Sequence, residues 1–193
     1  MRWTVIRGDS LQDAPWLNGR GTSRDVVTRL GRDGALLWKI GIAELAADAP
    51  FSHYPNCDRI FTPIAGEHEV ELSIGEGPFE PCPLLMPRSL AGEQPVRVRV
   101  RSPGRAFNAI VDRRHCAASL AVLRLEAGDP VEAPDAPETI IHLIEGQLAA
   151  AGELLAPGDS LLGPGPASPG AAAQDSTVIM VAIRPAPGGP GLA

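Results

Sequence analysis

Apolar and polar residues alternate along this chain in short runs, and the runs end at Gly, Pro, Asn or Asp. In Val96-Arg97-Val98-Arg99-Val100-Arg101 valine and arginine fall on opposite faces of a strand, one face buried and the other wet. The same reading predicts strands at Trp3–Ile6, Asp25–Arg29, Leu36–Glu44, Arg59–Ile64 and Glu69–Ile74. It predicts further strands at Val96–Arg101, Phe107–Asp112, Ser119–Leu125, Thr139–Ile144 and Thr177–Ile183. A helix is hard to place. Many short strands with frequent turn signals indicate an all-β sandwich or barrel.

Two stretches share one rhythm. Ile60-Phe61-Thr62-Pro63-Ile64-Ala65-Gly66 is followed by a β-like run and then Pro83-Leu84-Leu85-Met86-Pro87. Ile140-Ile141-His142-Leu143-Ile144-Glu145-Gly146 leads in the same way to Leu154-Leu155-Ala156-Pro157-Gly158-Asp159-Ser160-Leu161-Leu162-Gly163-Pro164. Each is a strand ending in Gly, a second strand, a turn, and an apolar run closed by Pro. The rhythm resembles that of a cupin, a small jelly-roll β-barrel, and two copies make a bicupin. The expected division is a cupin-like half at 1–125 with the ligand pocket, a smaller one at 126–184, and a flexible tail at 185–193.

Composition narrows the classes. The 193 residues include 21 Gly and 20 Pro without a Gly-X-Y period, which excludes collagen and also a helical bundle. The 44% apolar and 21% charged residues suit a globular core. A net charge of -6 argues against nucleic acid as a partner, because that binding rests on neutralising phosphates. No apolar stretch reaches membrane-spanning length, and the N-terminus lacks the apolar region of a signal peptide. Cys57, Cys82 and Cys116 are odd in number and form no Cys-x-x-Cys, so reduced thiols in a cytoplasmic protein are expected.

Several chemistries are missing. A metal-dependent cupin needs His-x-His, a carboxylate and a later His converging on one ion. His53, His68, His115 and His142 include no such pair, so neither a metal nor another cofactor is expected. His68 with Glu67, Glu69 and Glu71 reads as a solvated hairpin, and His142 as a hydrogen-bonded core histidine. Gly19-Arg20-Gly21 is not a dinucleotide fingerprint, and neither a Walker A loop nor a Gly-x-Ser-x-Gly elbow is found. His115 and Cys116 are adjacent on a strand and point to opposite faces, so they are not a nucleophile and its base.

Three polar clusters stand out. Trp16-Leu17-Asn18-Gly19-Arg20-Gly21-Thr22-Ser23-Arg24-Asp25 enters a strand. Gly19 and Gly21 permit close ligand approach there, and Asn18, Thr22 and Ser23 offer hydrogen bonds, although an ordinary turn has the same composition. Pro50-Phe51-Ser52-His53-Tyr54-Pro55-Asn56-Cys57-Asp58-Arg59-Ile60 sets a charged pair at the start of an apolar strand. Arg59 is suited to clamping a carboxylate; a structural Asp58–Arg59 salt bridge is the plainer reading. Asn108, inside Phe107-Asn108-Ala109-Ile110-Val111, needs a partner for its amide, which a neighbouring backbone would also supply.

Together these clusters resemble the HutD/Ves family. Its Trp-x-Asn-Gly-Gly-Gly-x-Thr-Arg pattern corresponds to Trp16–Arg24, and its Phe-x-Trp-Arg-x-Ser-x-Ala strand to Leu36–Glu44. Its Gly-Pro-Phe-Ser-x-Phe-Pro-Gly-x-Asp-Arg segment corresponds to Ala49–Arg59, and its Asp-x-Asn-x-Met-x-Arg-Arg strand to Ala106–Arg114. Order and spacing agree over residues 1–125. Arg20, Ser23, Lys39, Gly41, Asn56 and Ala106 depart from the usual Gly, Thr, Arg, Ser, Gly and Asp.

The resemblance implies a metal-free bicupin associated with bacterial histidine utilisation, without catalysis as a class property. It implies a regulator that binds a small acidic intermediate: urocanate, formiminoglutamate or formylglutamate. Arg59 would neutralise a carboxylate, with a charge-assisted bond of about 1.5–3 kcal/mol. Asn18, Ser23, Ser52 and Asn108 would meet the remaining polar atoms, Gly19 and Gly21 would admit the ligand, and Trp38 and Phe51 would wall the pocket, with plain core the alternative for both and the plainer reading of Phe51. The alternatives are a cupin enzyme acting on a small carboxylate and a protein-interaction module modulating a transcriptional repressor. A homodimer and a regulatory protein partner stay open. Arg97, Arg99 and Arg101 form a basic stripe that reads as a solvated or edge-protecting face, with a partner surface as the sharper alternative.

Overall fold

The computed structural model describes residues 2–67 and 70–187. His68, Glu69 and the tail beyond residue 187 lie outside them. Among the described residues, apart from one 3-10 turn at Gly8–Ser10, the regular structure is all β. In chain order the strands begin β1 (Thr4–Ile6), β2 (Asp13–Pro15), β3 (Thr22–Leu30), β4 (Leu36–Leu45), β5 (Ala49–Pro50) and β6 (Cys57–Gly66). They continue β7 (Val70–Ile74), β8 (Glu80–Cys82), β9 (Arg88–Ala91), β10 (Val96–Arg99), β11 (Gly104–Asp112) and β12 (Cys116–Leu125). The last are β13 (Glu138–Glu145), β14 (Leu148–Ala150), β15 (Glu153–Leu155), β16 (Ser160–Gly163), β17 (Gly170–Ala172) and β18 (Ser176–Pro185). Each strand expected from the sequence overlaps one of these, although Trp3, Val100 and Arg101 fall outside the strands and Glu69 outside the described residues. The two- to four-residue strands are the additions, too short to show a period.

The chain forms two compact units. One spans Gln12–Ala117; the other joins Met1–Leu11 to Ala118–Pro185. This division differs from 1–125 and 126–184, because β1 pairs with β16, Thr4 opposite Leu162. Asp159 reinforces the join. Its carboxylate accepts from the Gly8 N–H at 2.9 Å, from the Ala156 N–H at 3.1 Å and from Arg7 Nη1 at 2.7 Å.

In the Gln12–Ala117 unit a six-stranded sheet runs β2-β3-β4-β11-β6-β9, and a four-stranded sheet runs β5-β10-β7-β8. Leu45, Phe61, Val70, Leu72, Leu90, Val96 and Val98 form its core. Each such aliphatic or aromatic side chain contributes about 1.5–3 kcal/mol by leaving water. On β10 the valines are buried and Arg97 and Arg99 exposed, as the alternation predicts. Yet β10 lies between β5 and β7, so its arginines do not protect an edge. They stack on Phe79, Arg99 at 3.8 Å and Arg97 at 5.4 Å from the ring centroid, and Arg99 pairs with Glu71 at 3.3 Å.

The second unit has a five-stranded sheet, β1-β16-β13-β18-β12, and a three-stranded one, β15-β14-β17. Its interior is aliphatic: Ile141, Leu143, Leu148, Leu155, Leu161, Val178 and Met180. His142 is buried with Nδ1 2.8 Å from Ser160 Oγ, the satisfied core histidine that its apolar strand suggested. The cysteines are buried thiols without a disulfide, and burial pushes Cys116 up to about 11. No helix among the described residues is long and apolar enough to cross a membrane.

Candidate functional site

A cleft opens on one face of the six-stranded sheet, wholly within the Gln12–Ala117 unit. Strand alternation decides what it contains. On β4, Lys39, Gly41, Ala43 and Leu45 face the cleft; on β6, Arg59 and Phe61; on β11, Asn108 and Ile110. Ser23 reaches it from β3, Phe51, Ser52 and Tyr54 from the loop after β5, and Pro15, Trp16 and Leu17 from the end of β2 and its turn.

Arg59 dominates the site. The residue is 7% exposed, and no carboxylate among the described residues pairs with it. Its Nη2 donates to the Ser52 carbonyl at 3.1 Å, while Nε has no partner. Its guanidinium carbon lies 4.8 Å from the Phe51 ring centroid and 5.2 Å from that of Tyr54, so two aromatic faces offset part of the lost hydration. Burial lowers its pKa to about 10, with Tyr54 and Cys57 pushing the other way, and it remains a cation at neutral pH.

The neighbouring Asp58 does not neutralise it. Consecutive strand residues face opposite ways, and Asp58 Oδ1 accepts instead from Arg113 Nε at 2.8 Å. Arg113 also donates from Nη1 to Glu93 at 2.7 Å and from Nη2 to the Cys57 carbonyl. These carboxylates hold the Arg113 pKa well above its usual value. The Asp58–Arg59 salt bridge considered from sequence is therefore absent, and Arg113 absorbs the acid that would have quenched Arg59. The same turn contains Asn56 at φ 60°, a left-handed conformation that explains why Gly or Asn suits this position.

Of the residues singled out by sequence, the fold brings Ser23, Ser52, Arg59 and Asn108 to the cleft. Asn108 Nδ2 makes one long bond, 3.4 Å, to the carbonyl of Ala106. Asn18, Gly19 and Gly21 stay in the turn after β2 and do not line the cleft. The Asn18 amide is occupied there: Nδ2 donates to the Pro50 carbonyl at 2.9 Å and Oδ1 accepts from the Arg20 N–H at 3.0 Å. Gly21 acts through Trp16, since a Cβ on it would stand 2.8 Å from the indole. Trp38 is placed elsewhere. It pairs with Val111 on the opposite face, is 1% exposed and stacks with Arg29 at 5.6 Å. Of the two aromatic residues expected to wall the pocket, Phe51 lines it and Trp38 does not. Lys39, Gly41 and Tyr54 line the cleft beyond the residues singled out by sequence, and the parity of β4, set by burying Trp38, Ile40 and Ile42, is the signal for the first two.

Among the described residues no three His, Cys, Asp or Glu side chains cluster to hold a metal ion. The cleft thus consists of one buried guanidinium without an acidic partner among the described residues, a lysine, four aromatic rings, an amide, two serines and aliphatic walls. The HutD family model matches residues 8–180, which takes in every strand of the cleft. The chain belongs to the HutD family. Protein Ves of Cronobacter sakazakii (strain ATCC BAA-894) is 35% identical over 112 residues, 55% of this chain and 59% of that protein. The match thus spans about three-fifths of that curated relative's length. The solved HutD of Pseudomonas fluorescens SBW25 (formate condition) superposes with TM-score 0.77 at 20% identity, covering 95% of this chain and 98% of that one. A Cupin 2 conserved barrel domain protein of Leptotrichia buccalis gives TM-score 0.58 at 12% identity, over 93% and 95% of the two chains. At such identities these structures speak for the fold, and the fold is a bicupin.

Proposed function

We propose that this HutD-family protein is a non-enzymatic cytoplasmic regulator of histidine utilisation that binds a small carboxylate intermediate in its N-terminal cleft. Urocanate, formiminoglutamate and formylglutamate are the candidates. The observation that carries the reading is Arg59, a cation 7% exposed, held over two aromatic rings with no acidic partner among the described residues and an unpartnered Nε. A buried charge without a counter-charge is costly, and an incoming carboxylate would both compensate it and accept its unused N–H. Asn108 and Ser52 would take the ligand's other polar atoms. Phe51, Phe61 and Leu45 supply the apolar walls common in small-molecule sites.

Calorimetric titration of the purified protein with each of the three acids tests this. Saturable one-site binding without consumption is expected, and Arg59→Ala should lose it while remaining folded. Unchanged affinity in folded Arg59→Ala would remove Arg59 from the site. Consumption of the acid would make the protein an enzyme, and no binding would turn the function toward a protein partner or another ligand.

A further inference from the structure

Beside Arg59 the cleft holds a second cation, Lys39, and its charge is already spoken for. Lys39 Nζ lies 2.7 Å from Asp25 Oδ1. Asp25 reaches it because of where it stands on β3. Ser23 is opposite Ala43 and Asp25 opposite Gly41, so Asp25 shares the cleft-side parity of Ser23. The register then slips between Asp25 and Val27, a bulge of the kind that re-aims a side chain. Gly41 leaves the path open between the partners. A Cβ there would stand 3.3 Å from the Arg24 carbonyl oxygen, 3.5 Å from Asp25 Oδ1 and 3.6 Å from Lys39 Cε. The pair is partly shielded, its side chains 21% and 37% exposed.

The cleft's charges therefore sum to one uncompensated positive charge, that of Arg59. We infer that the Asp25–Lys39 pair is a specificity device that restricts the cleft to ligands bearing a single carboxylate. This rests on the proposal that Arg59 binds a carboxylate, and adds the charge class of the ligand: of the three candidates it selects urocanate, which has one carboxylate, over formiminoglutamate and formylglutamate, which have two. A second carboxylate entering the cleft meets a lysine whose ammonium is engaged and an aspartate that repels it. The lysine's long stem and compact charge make the restriction reversible: with Asp25 neutralised, the ammonium is free to swing toward a second anion.

The test uses crotonate and fumarate, flat four-carbon acids that differ in having one or two carboxylates, titrated calorimetrically at neutral pH. The parent protein should prefer crotonate. Asp25→Asn should raise the fumarate-to-crotonate affinity ratio by about tenfold or more, the scale of one added charge-assisted bond. Asp25→Asn combined with Lys39→Gln should lose most of that gain, which shows that it runs through the lysine and not through lost repulsion alone. If Asp25→Asn does not fold, Lys39→Gln carries the test: it leaves Asp25 unpaired beside the site and should weaken crotonate several-fold, and unchanged crotonate affinity there overturns the inference. A parent that binds crotonate, with a ratio unmoved by Asp25→Asn or equally raised in the double variant, overturns the inference and leaves Arg59 as a carboxylate site. A parent that binds neither acid overturns both.

Discussion

The two units use one architecture to opposite ends. In the unit built from Met1–Leu11 and Ala118–Pro185, the inward positions of β13, β16 and β18 are Ile141, Leu143, Leu161, Val178 and Met180. In the Gln12–Ala117 unit, one face of the large sheet carries Arg59, Asn108, Lys39 and Gly41 among its apolar residues. The first set fills a barrel with groups that need nothing further. The second leaves a guanidinium buried without an acid among the described residues. The difference locates the site: a fold that can close its interior with aliphatics has, in one unit, kept a cation there.

The largest expected effect lies in the closed unit. Leu143 is fully buried, and Leu143→Ala should destabilise the protein by about 2–5 kcal/mol in urea unfolding, because the removed atoms leave a void that packing cannot collapse. A loss below about 1 kcal/mol would mean that this interior is not close-packed, and the contrast would fail. The open unit should behave in the reverse way. Arg59→Leu removes a poorly compensated charge and adds an apolar side chain to a wall already formed by Phe51 and Phe61. Its melting temperature should be equal to or above the parent's while carboxylate affinity is lost. A marked fall in stability would make Arg59 a structural residue and not a site kept open for a ligand.

Much of this contrast was legible in the sequence. The alternation at Val96–Arg99 and the apolar runs around Phe61, Phe107 and Ile141 gave strands where strands are found. The peculiarity of Arg59 was legible because an arginine two residues into an apolar strand is costly without a partner. Its true isolation was not. Asp58 is its neighbour in sequence, but strand geometry turns it to Arg113, and that pairing spans 55 residues. Asn18 and Trp38 were misplaced for local reasons. The side-chain amide of Asn18 serves its own turn and Pro50, and Trp38 shares a strand with cleft residues but has the opposite parity. The Lys39–Asp25 pair needed a bulge to form, and no pattern of polar and apolar letters announces a bulge.

The smallest expected effect is an absence of change, followed by a break. Burial holds the Arg59 pKa at about 10, below the ordinary guanidinium range. From about pH 7 to 9 the group stays charged, so its attraction for an already ionised carboxylate should be flat. Above about 10 the guanidinium loses its proton and crotonate affinity should fall. The stability sign is opposite. From about 10 up to the ordinary guanidinium range the unfolded chain binds more protons at this arginine than the folded one, so its contribution to stability rises with pH. Ligand affinity and the Arg59 share of folding stability should therefore diverge in that window, the latter read as the difference between the parent and Arg59→Leu. Crotonamide, which has the same skeleton without the charge, should bind weakly and show no break. A crotonate affinity that already declines between pH 7 and 9 would assign control of binding to a group other than Arg59.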